Sequence, residues 1–177
     1  ATRYCSHANV IMMDVFNEPY DASWSVWKDL VQRVGNAVHL VCPRWLVAAE
    51  GSGRGTAAGY WWGENINGQV TNPIALTVPN RLVLAPHVYG HGSQWYMSDP
   101  NFPANMPSVW DAHFGHVANA TGVPIVIGEW GGVWVQTTWH GTTYPSTAAW
   151  QQTMGQYVVQ RGFGSFYWTL NDNSFRT

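Results

Sequence analysis

Five short apolar runs alternate with three helical patterns along the chain. The apolar runs cover residues 10–16, 45–49, 82–85, 124–127 and 165–170. They lack the apolar–polar alternation of a half-buried strand, which favours strands buried on both faces of a parallel sheet. Apolar residues at helical spacing follow Ser23, Pro107 and Ser146, and each pattern ends near a proline or a glycine. This order of elements predicts an α/β fold with a parallel sheet.

The connection between the second and third apolar runs differs from the others. Residues 51–81 contain six glycines and no helical period. A link of this length without regular structure is uncommon in a compact domain and is usually functional. We therefore expect part of this connection to serve a binding site.

Composition narrows the classes of protein that remain. The chain has 177 residues with 8 basic and 10 acidic side chains, a formal net charge of −2, and 12 tryptophans. Low charge with high aromatic content excludes a disordered chain and argues against partners bound by charge, such as nucleic acid or an anionic membrane. No apolar run approaches the ~18 residues that a membrane-spanning helix needs. We expect no nucleic acid and no membrane among the partners.

Polar and aromatic side chains stand at the C-terminal end of each apolar run. They are Asn17, Glu18, Glu50, His87, Tyr89, Glu129 and Trp168. In parallel α/β folds the carboxyl ends of the strands meet at one edge, and ligands bind there. Three of the four glutamates of the chain lie at such ends, where a carboxylate is costly unless it is paired or has a function.

Two converging carboxylates among aromatic side chains suit the hydrolysis of glycosides. One carboxylic acid protonates the oxygen of the leaving group, and the other carboxylate attacks the sugar or activates water. Aromatic rings offer flat apolar faces to sugar rings. The low net charge also fits a neutral polysaccharide as substrate.

Four motifs occur in order along the chain, each with its apolar run. Residues 10–19 end in Asn-Glu-Pro, residues 86–89 read Pro-His-Val-Tyr, residues 124–131 end in Gly-Glu-Trp-Gly, and residues 166–171 read Phe-Tyr-Trp-Thr-Leu-Asn. These motifs resemble glycoside hydrolase family 5, the family of many cellulases. Residues 60–65 and 98–107 are similar to the endoglucanase branch of that family.

The resemblance implies a (β/α)8 TIM barrel and a retaining, double-displacement mechanism. It assigns the five apolar runs to barrel strands four to eight, so that the first three βα units are missing and residues 1–177 are a partial catalytic domain. It implies Glu18 as the acid/base and Glu129 as the nucleophile. The implied reaction is cleavage of internal β-1,4-glucosidic bonds of cellulose or related β-glucans.

Four other residues take supporting roles in this interpretation. The resemblance implies that Asn17 bonds to the sugar 2-hydroxyl and that Trp168 is a sugar platform at the cleavage site. His87 and Tyr89 are two residues apart on one strand and therefore point the same way. We expect both in the active site, with Tyr89 donating a hydrogen bond to Glu129.

Three further residues are candidates for substrate binding. Trp61 and Trp62 lie in the glycine-rich connection. One of them is expected to be a substrate platform, although either could instead cover the rim of the barrel. Glu50 either contacts the substrate or only orients its neighbours.

Two other kinds of function stay open at this point. An endo-β-mannanase or an exo-β-glucanase of the same family would use the same two glutamates. A non-catalytic carbohydrate-binding protein would use the tryptophans but would need neither Glu18 nor Glu129, which argues against it. In each case the partner is a polysaccharide, and for the leading interpretation it is a β-glucan.

No cofactor and no metal are expected. His113 and His116 are three residues apart on a predicted helix, a spacing that metal ligands can have, but no cysteine or carboxylate completes a clear set nearby. Cys5 and Cys42 either form one bridge or remain two buried thiols, and a bridge would fit a secreted enzyme. We expect secretion, and a monomer when the protein is full length.

Overall fold

A computed structural model describes residues 1–52, 62–90, 95–139 and 141–169 of the chain. Its strands are β1 (Met12–Asp14), β2 (Leu46–Ala49), β3 (Leu82–Leu84), β4 (His87–Tyr89), β5 (Val126–Gly131), β6 (Thr137–Trp139), β7 (Thr142–Tyr144) and β8 (Gly164–Tyr167). Its α-helices are α1 (Trp24–His39), α2 (Gly68–Thr71), α3 (Met106–Trp110), α4 (His116–Thr121) and α5 (Ala148–Arg161). In those ranges, no helix is both long enough and apolar enough to cross a bilayer.

The predicted parallel sheet is confirmed. Strands β1, β2 and β3 pair in that order, and β4, β5 and β8 pair in that order, all parallel. A parallel bridge between Leu84 and Ile125 connects the two groups. The third apolar run and the residues that follow it, 82–89, therefore cross both groups, first as β3 beside β2 and then as β4 beside β5.

Pro86 marks the point where this run changes partner. The Ala85 N–H still donates to the Ala49 carbonyl of β2, and the Pro86 carbonyl accepts from the Gly128 N–H of β5. Proline has no N–H to donate to the ladder, so regular pairing is interrupted at this residue. The sequence-based expectation of one continuous strand ending at residue 85 thus becomes two short strands, with His87 and Tyr89 inside the second.

Helix boundaries follow the predicted signals closely. The Ser23 hydroxyl accepts a hydrogen bond from the Val26 N–H and caps α1. Gly122 and Gly162 end α4 and α5 with left-handed φ values of 70° and 67°, a conformation that glycine adopts without a steric penalty. The second predicted helix is continuous from α3 to α4 through the π-helical residues Asp111–Gly115.

Two features of the fold were not predicted. Strands β6 and β7 form an antiparallel pair in the connection between β5 and α5. Their threonines and aromatic residues around Gly141 are a signal for a hairpin, but both strands have only three residues. The glycine-rich connection contains α2 and a 3-10 helix at Trp62–Glu64, each too short to give a periodic pattern.

The last apolar run differs from its predicted burial. Strand β8 was expected to be buried on both faces, yet all four of its residues are exposed. Within the described ranges, β8 pairs only with β5, and β1 pairs only with β2. Exposed apolar side chains lie at both outer strands, including Ile11 (59%) and Phe166 (57%).

One disulfide links the start of the chain to the end of α1. Cys5 and Cys42 are bridged with a Cα–Cα distance of 5.6 Å, so the bridge is formed rather than two free thiols. The Arg44 guanidinium also donates to the carbonyls of Cys5 and His7. Together these contacts hold the residues before β1 against the residues before β2.

We expect the core under β5 to contribute strongly to stability. Ile127 is fully buried (0% exposed) in the central strand, so Ile127→Ala should lower the free energy of unfolding by about 2–5 kcal/mol. The matched control is Leu40→Ala, because Leu40 is 90% exposed and should cost less than about 0.5 kcal/mol. Urea denaturation of the full-length protein measures both, and equal losses would contradict this account of the core.

Candidate active site

The carboxyl ends of the strands bring five predicted residues into one cluster. Strand β4 lies beside β5 in a register that pairs His87 with Glu129. Glu18 follows β1, and Glu50 follows β2 directly. The Tyr89 hydroxyl donates a hydrogen bond of 2.6 Å to Glu129 Oε2, which is the contact expected from the sequence.

His87 lies at the centre of this cluster. Its Nδ1 is 3.2 Å from Glu18 Oε1 and 3.6 Å from Glu129 Oε2. Its Nε2 is 3.3 Å from Glu50 Oε1. The residue is only 2% exposed, so the imidazole contacts three glutamates away from bulk water.

Two segments pack closely against His87 because each has a glycine at the point of contact. A Cβ at Gly63 would lie 2.8 Å from the Cβ and the carbonyl oxygen of His87. A Cβ at Gly128 would lie 2.9 Å from Cδ2 and Nε2 of the imidazole. Both distances are shorter than real Cβ contacts, so only glycine lets these two segments pack against His87.

Glu18 adopts a backbone conformation that is rare for a residue with a side chain. Its φ is +53°, in the left-handed region that costs a non-glycine residue about 1–3 kcal/mol. Its N–H donates a 2.8 Å hydrogen bond to Glu50 Oε2. The conformation is therefore held by a contact from the neighbouring strand.

The glutamates of the cluster differ in their access to solvent. The side chains of Glu18 and Glu129 are 29% and 19% exposed, whereas that of Glu50 is 1% exposed. One carboxylate oxygen from each of Glu18 and Glu129 and a ring nitrogen of His87 lie within 4.8 Å of one another. Glu18 and Glu129 can therefore meet a ligand, and Glu50 lies beneath them.

Burial and neighbouring acids raise the pKa of Glu50 to about 9. Loss of water around the carboxyl group is the main cause, and the charges of Asp14, Glu18 and Glu129 add to it. Burial, followed by the hydrogen bond to Glu129, also raises the pKa of Tyr89. Tyr89 therefore stays a hydrogen-bond donor at neutral pH, and Glu50 is a neutral carboxylic acid there.

Three of the other four predicted residues, Asn17, Trp62 and Trp168, are described by the structure. Asn17 is exposed at the end of β1. Trp168 follows β8 and is 58% exposed. Its main-chain N–H donates to the main-chain carbonyl of Trp130, the residue after Glu129. Trp62 begins the 3-10 helix beside Gly63, while Trp61 lies outside the described residues.

The sequence did not indicate how the glycine-rich connection is anchored. Ser52 and Asn65 exchange two hydrogen bonds, which bring the two ends of residues 53–64 together. Buried Glu64 contacts Nδ1 of buried His113, between the π-helical segment and the 3-10 helix. His113, considered above as a possible metal ligand, is thus paired with the carboxylate of Glu64, which is 49 residues away in the sequence. Residue spacing alone does not reveal this contact.

Two sets of three residues in and beside this cluster lie close enough together to bind a metal ion. Glu18, His87 and Glu129 could each offer one ligand atom, and so could Asp14, Glu50 and His87. The hydrogen bonds around His87 account for this spacing without a metal ion, because they require the same short distances. The expectation of a metal-free site stays a prediction.

Comparisons with known proteins agree on one protein family. A family model described as Cellulase, glycosyl hydrolase family 5, matches residues 1–174. An endoglucanase of Paenibacillus polymyxa is 37% identical over 98% of this chain and 45% of its own length. The major extracellular endoglucanase of Xanthomonas campestris pv. campestris is 35% identical over 98% of this chain and 37% of its own length. The chain thus spans less than half the length of these relatives.

Solved structures agree with this result. The catalytic domain of the Xanthomonas campestris enzyme is similar with a TM-score of 0.79 at 34% identity, over 98% of this chain and 51% of that one. An endocellulase of Pyrococcus horikoshii, solved with cellotetraose, gives a TM-score of 0.80 at 28% identity, over 98% of this chain and 53% of that one. These neighbours imply the (β/α)8 TIM barrel fold.

Replacing Glu50 with Gln is expected to flatten the pH dependence of stability. Between the ordinary Glu pKa of 4.5 and the raised value of about 9, the folded protein binds a proton at Glu50 that the unfolded chain releases. The free energy of unfolding of the wild type therefore falls as pH rises through this window, by up to about 1.4 kcal/mol per pH unit.

Chemical denaturation at several pH values between about 5 and about 9 measures this slope. Glu50→Gln should lose the component that falls with pH. The control Asp29→Asn, at a side chain that is 64% exposed, should keep the wild-type slope. A Glu50→Gln slope equal to that of the wild type would show that Glu50 titrates normally.

Proposed function

The chain belongs to glycosyl hydrolase family 5, the cellulase family, and from this we propose that it carries the catalytic centre of an endo-β-1,4-glucanase. The substrate is cellulose or a related β-glucan, cleaved at internal β-1,4-glucosidic bonds. The observation that carries the proposal is the pair of accessible carboxylates, Glu18 and Glu129, which both approach Nδ1 of His87 and have oxygens within 4.8 Å of each other.

The separation of these carboxylates supports a retaining mechanism. Retaining glycosidases hold their two carboxyl groups about 5–5.5 Å apart, and inverting ones about 6.5–9.5 Å apart to leave room for a water. One oxygen of Glu18 lies within 4.8 Å of one oxygen of Glu129, which fits the shorter of these separations. In the proposed reaction the second carboxylate acts on the sugar directly.

The reaction then proceeds in two displacements. In the first, the Glu129 carboxylate forms a bond to the anomeric carbon, the glycosidic C–O bond breaks, and Glu18 gives its proton to the leaving oxygen. In the second, Glu18 takes a proton from water, the water oxygen bonds to the anomeric carbon, and the ester to Glu129 breaks. Each carboxyl group returns to its starting protonation state.

Neighbouring residues prepare these two groups. Tyr89 donates to Glu129 Oε2 and fixes the orientation of the nucleophile. In this proposal Asn17 bonds to the sugar 2-hydroxyl, an interaction that strengthens in the transition state. The exposed ring of Trp168 and one of Trp61 and Trp62 serve as platforms for sugar rings.

The proposed substrate and cellular location of this protein are taken from the names of the proteins that are similar to it. The proteins similar to this chain are endoglucanases, one of them named as extracellular, and a solved neighbour is an endocellulase with cellotetraose. The Cys5–Cys42 disulfide fits an oxidising environment. We therefore propose a secreted enzyme that acts on polymeric glucan outside the cell.

We further propose that residues 1–177 form part of one catalytic barrel. The outer edges of β1 and β8 have no partner strand among the described residues, and both carry exposed apolar side chains. Unpaired edges of this kind are normally covered or closed into a barrel. The matched endoglucanases are also about twice as long as this chain or longer.

Replacement of the nucleophile tests the function directly. In the full-length protein, Glu129→Gln should lower kcat on soluble β-1,4-glucan by on the order of 10⁴-fold or more, because no bond to the anomeric carbon can form. The matched control Asp29→Asn changes an exposed acid on α1 and should leave the rate unchanged. Unchanged hydrolysis by Glu129→Gln would refute the assignment, and faster cleavage of mannan than of glucan would refute the substrate.

The isolated chain tests the proposal of a shared barrel. Residues 1–177 alone should associate or lack fixed aromatic packing, because two apolar strand edges face water. Size-exclusion chromatography reports association, and near-ultraviolet circular dichroism of the tryptophans reports packing. A compact monomer with sharp aromatic bands would contradict the proposal.

A further inference from the structure

We propose that Glu50 is a positioning residue that fixes both the main chain and the hydrogen-bonding state of the acid/base group Glu18. It acts directly on the Glu18 N–H and indirectly through the imidazole of His87. The proposal rests on the function proposed above and extends it to a residue that does not touch the substrate.

The first contact acts on the Glu18 main chain. Glu50 Oε2 accepts the Glu18 N–H at 2.8 Å, at a residue with a left-handed φ of +53°. Such a backbone conformation persists only where the surroundings impose it. Glu50 lies at the end of β2 and supplies an acceptor in a fixed position. The main chain of Glu18, from which its side chain extends, is therefore fixed as well.

The second contact acts on the His87 tautomer. His87 Nδ1 faces two possible acceptors, Glu18 Oε1 at 3.2 Å and Glu129 Oε2 at 3.6 Å, which favours an N–H at Nδ1. Nε2 then accepts, and the group that faces it is Glu50 Oε1 at 3.3 Å, since Glu50 Oε2 already accepts the Glu18 N–H. The opposite tautomer would place a lone pair against both oxygens.

Glu50 is itself buried and hydrogen-bonded to helix α1. Its side chain is 1% exposed, and its carbonyl accepts a 2.9 Å hydrogen bond from the indole N–H of Trp27. Trp27 belongs to α1 and is 1% exposed. A group buried in this way cannot reach a polysaccharide, so of the two roles considered for Glu50, orientation of its neighbours is the one that the geometry favours.

A substrate with an activated leaving group separates positioning of Glu18 from a general loss of structure. 2,4-Dinitrophenyl β-cellobioside needs no acid to release dinitrophenolate, but its glycosyl-enzyme still needs Glu18 as a base. In the full-length enzyme, Glu50→Ala should keep a dinitrophenolate burst close to the wild-type rate. Its steady-state turnover, and its kcat on cellotetraose, should fall by about 10²-fold, the cost of a misplaced group.

Two comparison variants make the result specific. Glu50→Gln keeps one acceptor for the Glu18 N–H and one donor for His87 Nε2, so it should recover most of the lost turnover. Glu64→Gln alters another buried glutamate that contacts a histidine and should keep the wild-type ratio of burst to turnover. Equal losses of burst and turnover in Glu50→Ala, or a Gln variant as slow as the Ala variant, would overturn the proposal.

The tautomer gives a readout that does not depend on hydrolysis. The ¹⁵N chemical shifts of His87, assigned by comparison with His87→Gln, should show a protonated Nδ1 and an unprotonated Nε2 near neutral pH. Glu50→Ala should mix the two tautomers. A proton on Nε2 in the wild type would overturn the role of Glu50 even if the enzyme is active. Failure of Glu18→Ala to show fast burst and slow turnover would instead refute the proposed function.

Discussion

The placement of one imidazole among three carboxyl groups is the constraint on which the rest of the site depends. His87 contacts Glu18 and Glu129 through one ring nitrogen and Glu50 through the other. Carboxyl groups this close in a poorly hydrated space cannot all be ionised. Protons must be distributed among them, and the pKa of Glu50 is raised accordingly. Glu50 keeps a proton beneath Glu18 and Glu129, so these two accessible carboxyl groups do not face a third ionised carboxylate.

The fold serves to keep that arrangement fixed. Parallel pairing of β4 with β5 sets the register of His87 and Glu129. Glycines at positions 63 and 128 allow two segments to pack against the imidazole. Tyr89 restrains the proposed nucleophile. The strands thus supply positions, and the close packing between them supplies orientation.

The sequence predicted the elements better than their contacts. Apolar runs and helix boundaries gave the parallel sheet, because they depend on local periodicity and on capping residues such as Ser23. The exposure of β8 was not predicted, since burial depends on what lies beside a strand. The residues of the cluster were named from their positions at strand ends, but the link from Glu50 to Glu18 joins residues 32 apart through side-chain geometry. A pattern along the chain carries no information on such a contact.

The disulfide lies at the opposite end of the strands from these carboxylates. Cys5 precedes β1 and Cys42 precedes β2, so the bridge fastens the amino-terminal edge of the sheet. In barrel enzymes this edge contributes to stability and the carboxyl edge to chemistry. Residues around the bridge and residues around His87 are thus separated by the length of the strands. A substitution that changes stability at one edge need not disturb the carboxyl groups at the other.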